Sequence, residues 1–240
     1  MKSIKVFESY FYWYAEQCVE GGYVVNSEDR IILRGIFKAF IEGKSIIIFG
    51  GNGTGKTLLF ELIKRIIHPK SDLKFRSRNV LDTVLDFNTR GHECFRDDQK
   101  SNVFYDDLGT EDRGYWYGDK VEVFEKLMQF RYDQWRNNGL RTFFTSNLTM
   151  EEILTKYGSR FRDRMKEQFY QAVLNGESKR NLKNFKGFAP LQHKTIMSKE
   201  DIEWNEYYNK HKNERKNIQV QEVKGGIGKQ LRESWGNFKK

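Results

Sequence analysis

A short β-branched run, Ser45 to Phe49, passes directly into Gly50-Gly51-Asn52-Gly53-Thr54-Gly55-Lys56-Thr57. An apolar stripe at helical spacing follows, made of Leu58, Leu59, Leu62, Ile63, Ile66 and Ile67. Strand, glycine loop and amphipathic helix in this order fit the phosphate-binding pattern G-x-x-x-x-G-K-[ST], the Walker A motif, in the context that the pattern requires. Glycines let the backbone curl so that its N–H groups converge on phosphate, and the helix adds its positive N-terminal end. In such a loop Lys56 reaches the β- and γ-phosphates and the Thr57 hydroxyl holds magnesium.

The same alternation continues along the chain. Leu73 to Arg76, Asn102 to Tyr105, Arg141 to Thr145 and Phe169 to Leu174 read as further strands. Between them, Val80 to Asn88, Lys120 to Arg136 and Met150 to Tyr157 carry helical spacing. Short apolar strands alternating with helices predict an α/β fold whose parallel sheet is covered on both faces. Ahead of the first strand, Phe7, Tyr10, Phe11, Tyr14 and Cys18 predict one helix, and a second runs from about Ser27 to Ile41.

Val103, Phe104 and Tyr105 lead into Asp106 and Asp107, the form of a Walker B strand that ends in two carboxylates. Asp106 is assigned to the magnesium and Asp107 to polarising the attacking water. Asn147, just after the strand Arg141 to Thr145, can hold a water near the γ-phosphate or can be an ordinary turn residue. Thr149 and Glu152 form a capping box that opens a short helix, and Gly158 closes it. Arg160 and Arg164 then lie four apart on one face of a second short helix, where like charges repel unless something negative is near. Two readings are open: a solvated cationic face, with Glu167 as partner, or an arginine finger supplied to a neighbouring subunit's γ-phosphate.

Composition narrows the class. The longest apolar runs, such as Ser45 to Phe49, fall far short of the roughly 20 residues of a membrane helix. The first residues show no apolar core with a small-residue cleavage site, so export is not expected. Only Cys18 and Cys94 occur, unpaired in sequence, which points to a reducing, cytoplasmic setting. His68, His92, His193 and His211 show no metal-ligand spacing. Forty-two Lys and Arg against 33 Asp and Glu give a net charge of +9, which favours a polyanionic partner.

GGNGTGKT, VFYDDLGTE, TFFTSNLT, YGSRFRDRM and GESKR, in that order, resemble the AAA+ ATPases of the DnaC/IstB type, the replicative helicase loaders and their transposase-helper relatives. The resemblance covers approximately Gly43 to Arg180. It implies a P-loop αβα sandwich around a five-stranded parallel sheet, with ATP and Mg2+ as ligands and Asn147 at the sensor 1 position. Arg164 matches the arginine of the family's D-R-[LM] motif, the finger, with Arg160 beside it. It also implies side-by-side assembly with ATP between subunits, because a finger can complete only another molecule's site. The shorter second acid, Asp107, implies slow hydrolysis. The stretch after Phe185 does not read as a helical lid, so a sensor 2 arginine is left unassigned.

Residues 1–43 are expected to form a helical partner-binding region, 44–180 the nucleotide-binding domain and 181–240 a basic extension. Tyr12 and Trp13 fall off the first helix's stripe and could meet a partner, stack on single-stranded DNA, or be buried against the domain. Ser178 to Lys194 holds five bases and no acid, and the last thirty residues hold eight bases against three acids. These stretches suit phosphate backbone in a salt-dependent way, or form a solvated tail. The helical pattern near Lys199 to Lys216 is polar almost all round. Three functions follow as expectations: an ATP-dependent loader engaging a replicative helicase and single-stranded DNA; a transposition helper on double-stranded DNA; and a nucleotide-gated adaptor without turnover.

Overall fold

The computed structural model describes residues 2–19, 22–23, 27–67, 71–175 and 186–188. Five strands form one parallel sheet: β1 (Ser45–Phe49), β2 (Phe75–Asn79), β3 (Asn102–Leu108), β6 (Thr142–Ser146) and β7 (Phe169–Val173). Their spatial order is β2-β3-β6-β1-β7. A small antiparallel hairpin, β4 (Gly114–Trp116) with β5 (Asp119–Val121), stands apart from it.

Alternation along the strands explains both cores. In β1, Ile46 and Ile48 face one layer while Ile47 and Phe49 face the other, and all four are buried. Phe104 and Phe143 join the first layer, and Val103, Tyr105 and Phe144 join the second. A strand buried on both faces has to be apolar throughout, as these runs are.

The first layer is built by α1 (Lys2–Cys18), α2 (Ser27–Ile41) and α3 (Lys56–Ile66). Its centre is aromatic: Phe60 stacks on Phe104 at 4.4 Å, and Phe75 meets Phe143 edge-on at 5.1 Å. Of the expected stripe, Phe7, Phe11, Tyr14 and Cys18 lie wholly inside and Tyr10 is partly buried against them, so the two N-terminal helices share the core of the sheet. Trp13 is 43% exposed, whereas Tyr12 is half-buried with Arg30 over its ring at 5.9 Å. Phe188 reaches the same layer and lies under the Arg65 guanidinium at 3.8 Å.

The second layer holds α4 (Val80–Arg90), a 3-10 helix (Gly91–Asp98), α5 (Val123–Asn138) and α6 (Met150–Gln168). The capping box at Thr149 and Glu152 is formed, and α6 breaks at Gly158 (φ 85°, ψ 174°) into the two short helices expected from sequence.

Two segments differ from expectation. The strand expected at Leu73 to Arg76 lies at Phe75–Asn79, where Arg76, Ser77 and Arg78 are polar. β2 is a sheet edge, which can keep polar side chains, so an apolar-run criterion places it too early. The helix expected from Lys120 begins at Val123, because Tyr117 and Gly118, at φ 50° and 91°, form a tight hairpin turn and Asp119–Val121 becomes a strand. GESKR, the basic stretches beyond it except residues 186–188, the Lys199 to Lys216 pattern, His68, His193 and His211 lie outside the described residues.

Candidate nucleotide site

The strand order brings the motifs together. β3, β6 and β1 are neighbours, so the glycine loop after β1, the acids ending β3 and Asn147 after β6 meet at the carboxyl edge of one sheet, where open α/β sheets bind ligands. Gly55 (φ 92°) is the N-cap of α3 and offers no side-chain cap. The first-turn N–H groups of α3 are thereby left for an anion, which is what a phosphate site needs.

Lys56 is 5% exposed and its ammonium is held on three sides. Nζ donates to the Gly50 and Gly51 carbonyls at 2.7 and 2.9 Å and to Asn147 Oδ1 at 2.7 Å. Thr54 Oγ1 donates to the Gly51 carbonyl at 3.0 Å, which closes the loop on itself.

Asp106 Oδ1 accepts from Thr57 Oγ1 at 2.9 Å and from Thr145 Oγ1 at 2.6 Å. Burial pushes its carboxyl above the ordinary carboxylate range; the two hydroxyls pull it down, and Asp107 and Glu61 raise it again. A β-bulge sits here: between the pairs Tyr105↔Phe144 and Leu108↔Ser146, two residues of β3 oppose one of β6. Asp107 adopts φ 62°, and its N–H donates to Thr145 Oγ1 at 2.9 Å. The bulge fixes the Asp107 backbone on Thr145, the same hydroxyl that donates to Asp106.

Hard oxygen donors in the form of one hydroxyl and one carboxylate, 2.9 Å apart beside an uncapped helix N-terminus, fit a phosphate-bound magnesium ion. Thr57 and Asp106 would hold such an ion, which would supply charge neutralisation of the phosphates.

Arg160 and Arg164 ride on the second half of α6. Among the described residues no hydrogen bond, ion pair or ring contact joins either to the glycine loop. Arg164 donates to Gln129 Oε1 on α5 and lies over the Tyr132 ring at 5.2 Å, while Arg160 is exposed. Glu167, the partner in one of the two readings, accepts the Tyr132 hydroxyl at 2.8 Å.

Sequence reasoning passed over Thr145, Tyr23 and Glu111. Thr145 is one of three fully buried hydroxyls in β6, with Thr142 and Ser146, and polar residues in a strand buried on both faces are a signal that could have been read. Tyr23 donates to the Gly55 carbonyl at 3.0 Å and so ties the segment between α1 and α2 to the loop. Nothing in its spacing announces this.

The fold is the P-loop αβα arrangement of the AAA+ type. Its architecture is that of the DnaC helicase loader, whose crystal structure superposes with a TM-score of 0.52 at 19% identity, covering 68% of this chain and 98% of the other. A protein of Streptococcus pyogenes serotype M3 described as a primosome component matches at 0.51 with 18% identity, over 68% of this chain and 87% of that one. No family model and no curated protein matches the sequence. No helix among the described residues is long and apolar enough to cross a membrane.

Proposed function

We propose that the chain is an ATP-dependent loader of a replicative helicase onto single-stranded DNA, working as a homo-oligomer with ATP between subunits. The observation that carries the reading is the meeting of two hydrogen-bonded pairs, Lys56 with Asn147 and Thr57 with Asp106, at one edge of the sheet, with Asp107 on the adjoining bulge. Resemblance of the motifs and likeness of fold to a helicase loader give the biological direction.

In this reading the loop N–H groups and Lys56 bind the β- and γ-phosphates, Asp107 orients the attacking water, and Asn147 fixes Lys56 and that water. Arg164, with Arg160 beside it, makes no contact with its own loop among the described residues and completes the neighbouring subunit's site. Residues 1–43 recruit the helicase, and the basic 181–240 extension grips DNA backbone.

The test is hydrolysis measured against protein concentration, with and without single-stranded DNA, alongside ATP-dependent capture of a replicative helicase. Hydrolysis per subunit is expected to rise with both. Preference for double-stranded DNA would replace the helicase by a transposase as client; equal action with a non-hydrolysable analogue would make the protein an adaptor; no affinity for adenine nucleotides sinks the proposal.

A further inference from the structure

Glu111 lies in the loop that leaves Asp106 and Asp107, and its side chain has no solvent exposure. Both oxygens are used: Oε2 accepts from the Gly109 N–H at 2.8 Å, and Oε1 accepts the Tyr157 hydroxyl. Burial and the neighbouring Glu111 push the Tyr157 phenol up, so it stays protonated as a donor. Lys156 completes the contact. Its Nζ donates to the Gly109 and Glu111 carbonyls at 2.8 and 2.6 Å and lies 3.5 Å from Glu111 Oε1.

This cluster joins two parts of the proposed machinery. On one side, Thr110 donates to the Asp107 carbonyl through its N–H at 3.2 Å and its hydroxyl at 2.8 Å, so the loop is tied to the left-handed turn at Asp107. On the other, Lys156 and Tyr157 are the last residues before the break at Gly158, and Tyr157 stacks on Phe161 at 4.6 Å across that break. Arg160 and Arg164 follow on the second half-helix. A buried carboxylate is an expensive way to attach a loop to a helix, since apolar side chains of the same volume would do as well or better for stability. Directional hydrogen bonds, however, fix an orientation, which packing alone does less sharply.

We infer that Glu111 is a positioning residue: it holds the arginine-bearing half of α6 in one orientation relative to the subunit's own paired acids, so that Arg164 is presented correctly to the next subunit. This rests on the trans-arginine reading above. Glu111 touches no reacting atom in it and acts through Lys156 and Tyr157.

Mixed assemblies test it. Asp107→Asn supplies an intact arginine and a dead site, and Arg164→Ala supplies the reverse; their mixture recovers hydrolysis that neither shows alone. Glu111→Gln keeps the volume but has one acceptor for two donors. Placed in the Asp107→Asn partner, it is expected to cut the recovered rate on the order of 10- to 100-fold, as a misplaced catalytic group does. In the Arg164→Ala partner it is expected to leave that rate within about twofold. An equal fall in both placements, or a fall only in the second, overturns the inference and makes Glu111 a support of its own site. If the two parent variants do not complement, the trans-arginine reading fails and this one with it. Should Glu111→Gln unfold, Lys156→Met in the same two placements gives the same discrimination.

Discussion

Lys56 Nζ lies 2.7 Å from Asn147 Oδ1, although the two residues are 91 apart in the chain. The contact joins the glycine loop after β1 to the end of β6 and leaves the ammonium in one place. A hydrogen bond to a charged group is worth about 1.5–3 kcal/mol.

Asn147→Ala is therefore expected to reduce the hydrolysis rate by about 10- to 100-fold, while the affinity for an ATP analogue changes by less than about tenfold. Lys56→Ala should abolish both. Steady-state hydrolysis and a fluorescent-analogue titration separate the cases. Loss of binding in Asn147→Ala equal to that in Lys56→Ala would show that Asn147 serves the loop's shape rather than the reaction.

Much of this geometry is legible in the sequence. The loop, the paired acids, the amide, the capping box and the break at Gly158 are all local patterns, and local patterns are what a sequence displays. What escaped depends on pairing between distant segments. The bulge at Asp106 and Asp107 exists only in relation to β6. The hold of Gln129 and Tyr132 on Arg164 depends on how α5 packs against α6. Tyr117 and Gly118 turn a hairpin whose second strand takes up Asp119–Val121, so the helix expected from Lys120 starts at Val123.

Arg164→Ala is expected to cost on the order of a thousandfold or more in concentration-dependent hydrolysis, the scale of a trans arginine. Stability should change by less than ~1 kcal/mol, since the side chain is only partly buried and its contacts are with Gln129 and Tyr132 alone among the described residues. Gln129→Ala removes the acceptor that aims it and is expected to cost about tenfold, the equivalent of ~1.4 kcal/mol. Rate measurements at rising protein concentration, with melting curves as control, check both. A Gln129→Ala protein as fast as the parent would mean that the Gln129 contact belongs only to the unassembled subunit.

Arg131 is fully buried on the apolar face of α5, in line with Phe124, Leu127 and Met128. Its guanidinium donates to Thr142 Oγ1 at 2.8 Å and to the carbonyls of Asp98 at 2.7 Å, Ser101 at 3.2 Å and Arg141 at 2.6 Å. Burial works against its charge and lowers its pKa, so these partners are what keep it there. Arg131→Met should destabilise by about 3–5 kcal/mol, because it leaves several buried acceptors unpaired. Arg131→Lys should recover little, since one ammonium cannot reach all of them. Urea unfolding gives the answer, and a loss below about 1 kcal/mol for Arg131→Met would show that water replaces the guanidinium.

Asp106 is partly buried, at a cost to the fold. Its carboxyl titrates above the usual range because burial disfavours the charge. A raised acid pKa means that the folded state binds the proton more readily than the unfolded one, so stability falls as pH rises from about 3.9 through the raised value, and the full cost remains above it. Asp106→Asn keeps an acceptor for the Thr57 and Thr145 hydroxyls and removes the charge. It is therefore expected to melt higher than the parent at pH 7 without nucleotide, and the advantage should vanish below the ordinary carboxylate range. With magnesium and ATP the order should reverse, since the parent gains stabilisation from a ligand that the variant holds weakly. Melting curves across pH, with and without magnesium nucleotide, test both halves. A variant less stable than the parent at pH 7 in the absence of nucleotide would mean that the two threonine hydroxyls outweigh the burial of the charge, and that Asp106 supports the fold as well as the site.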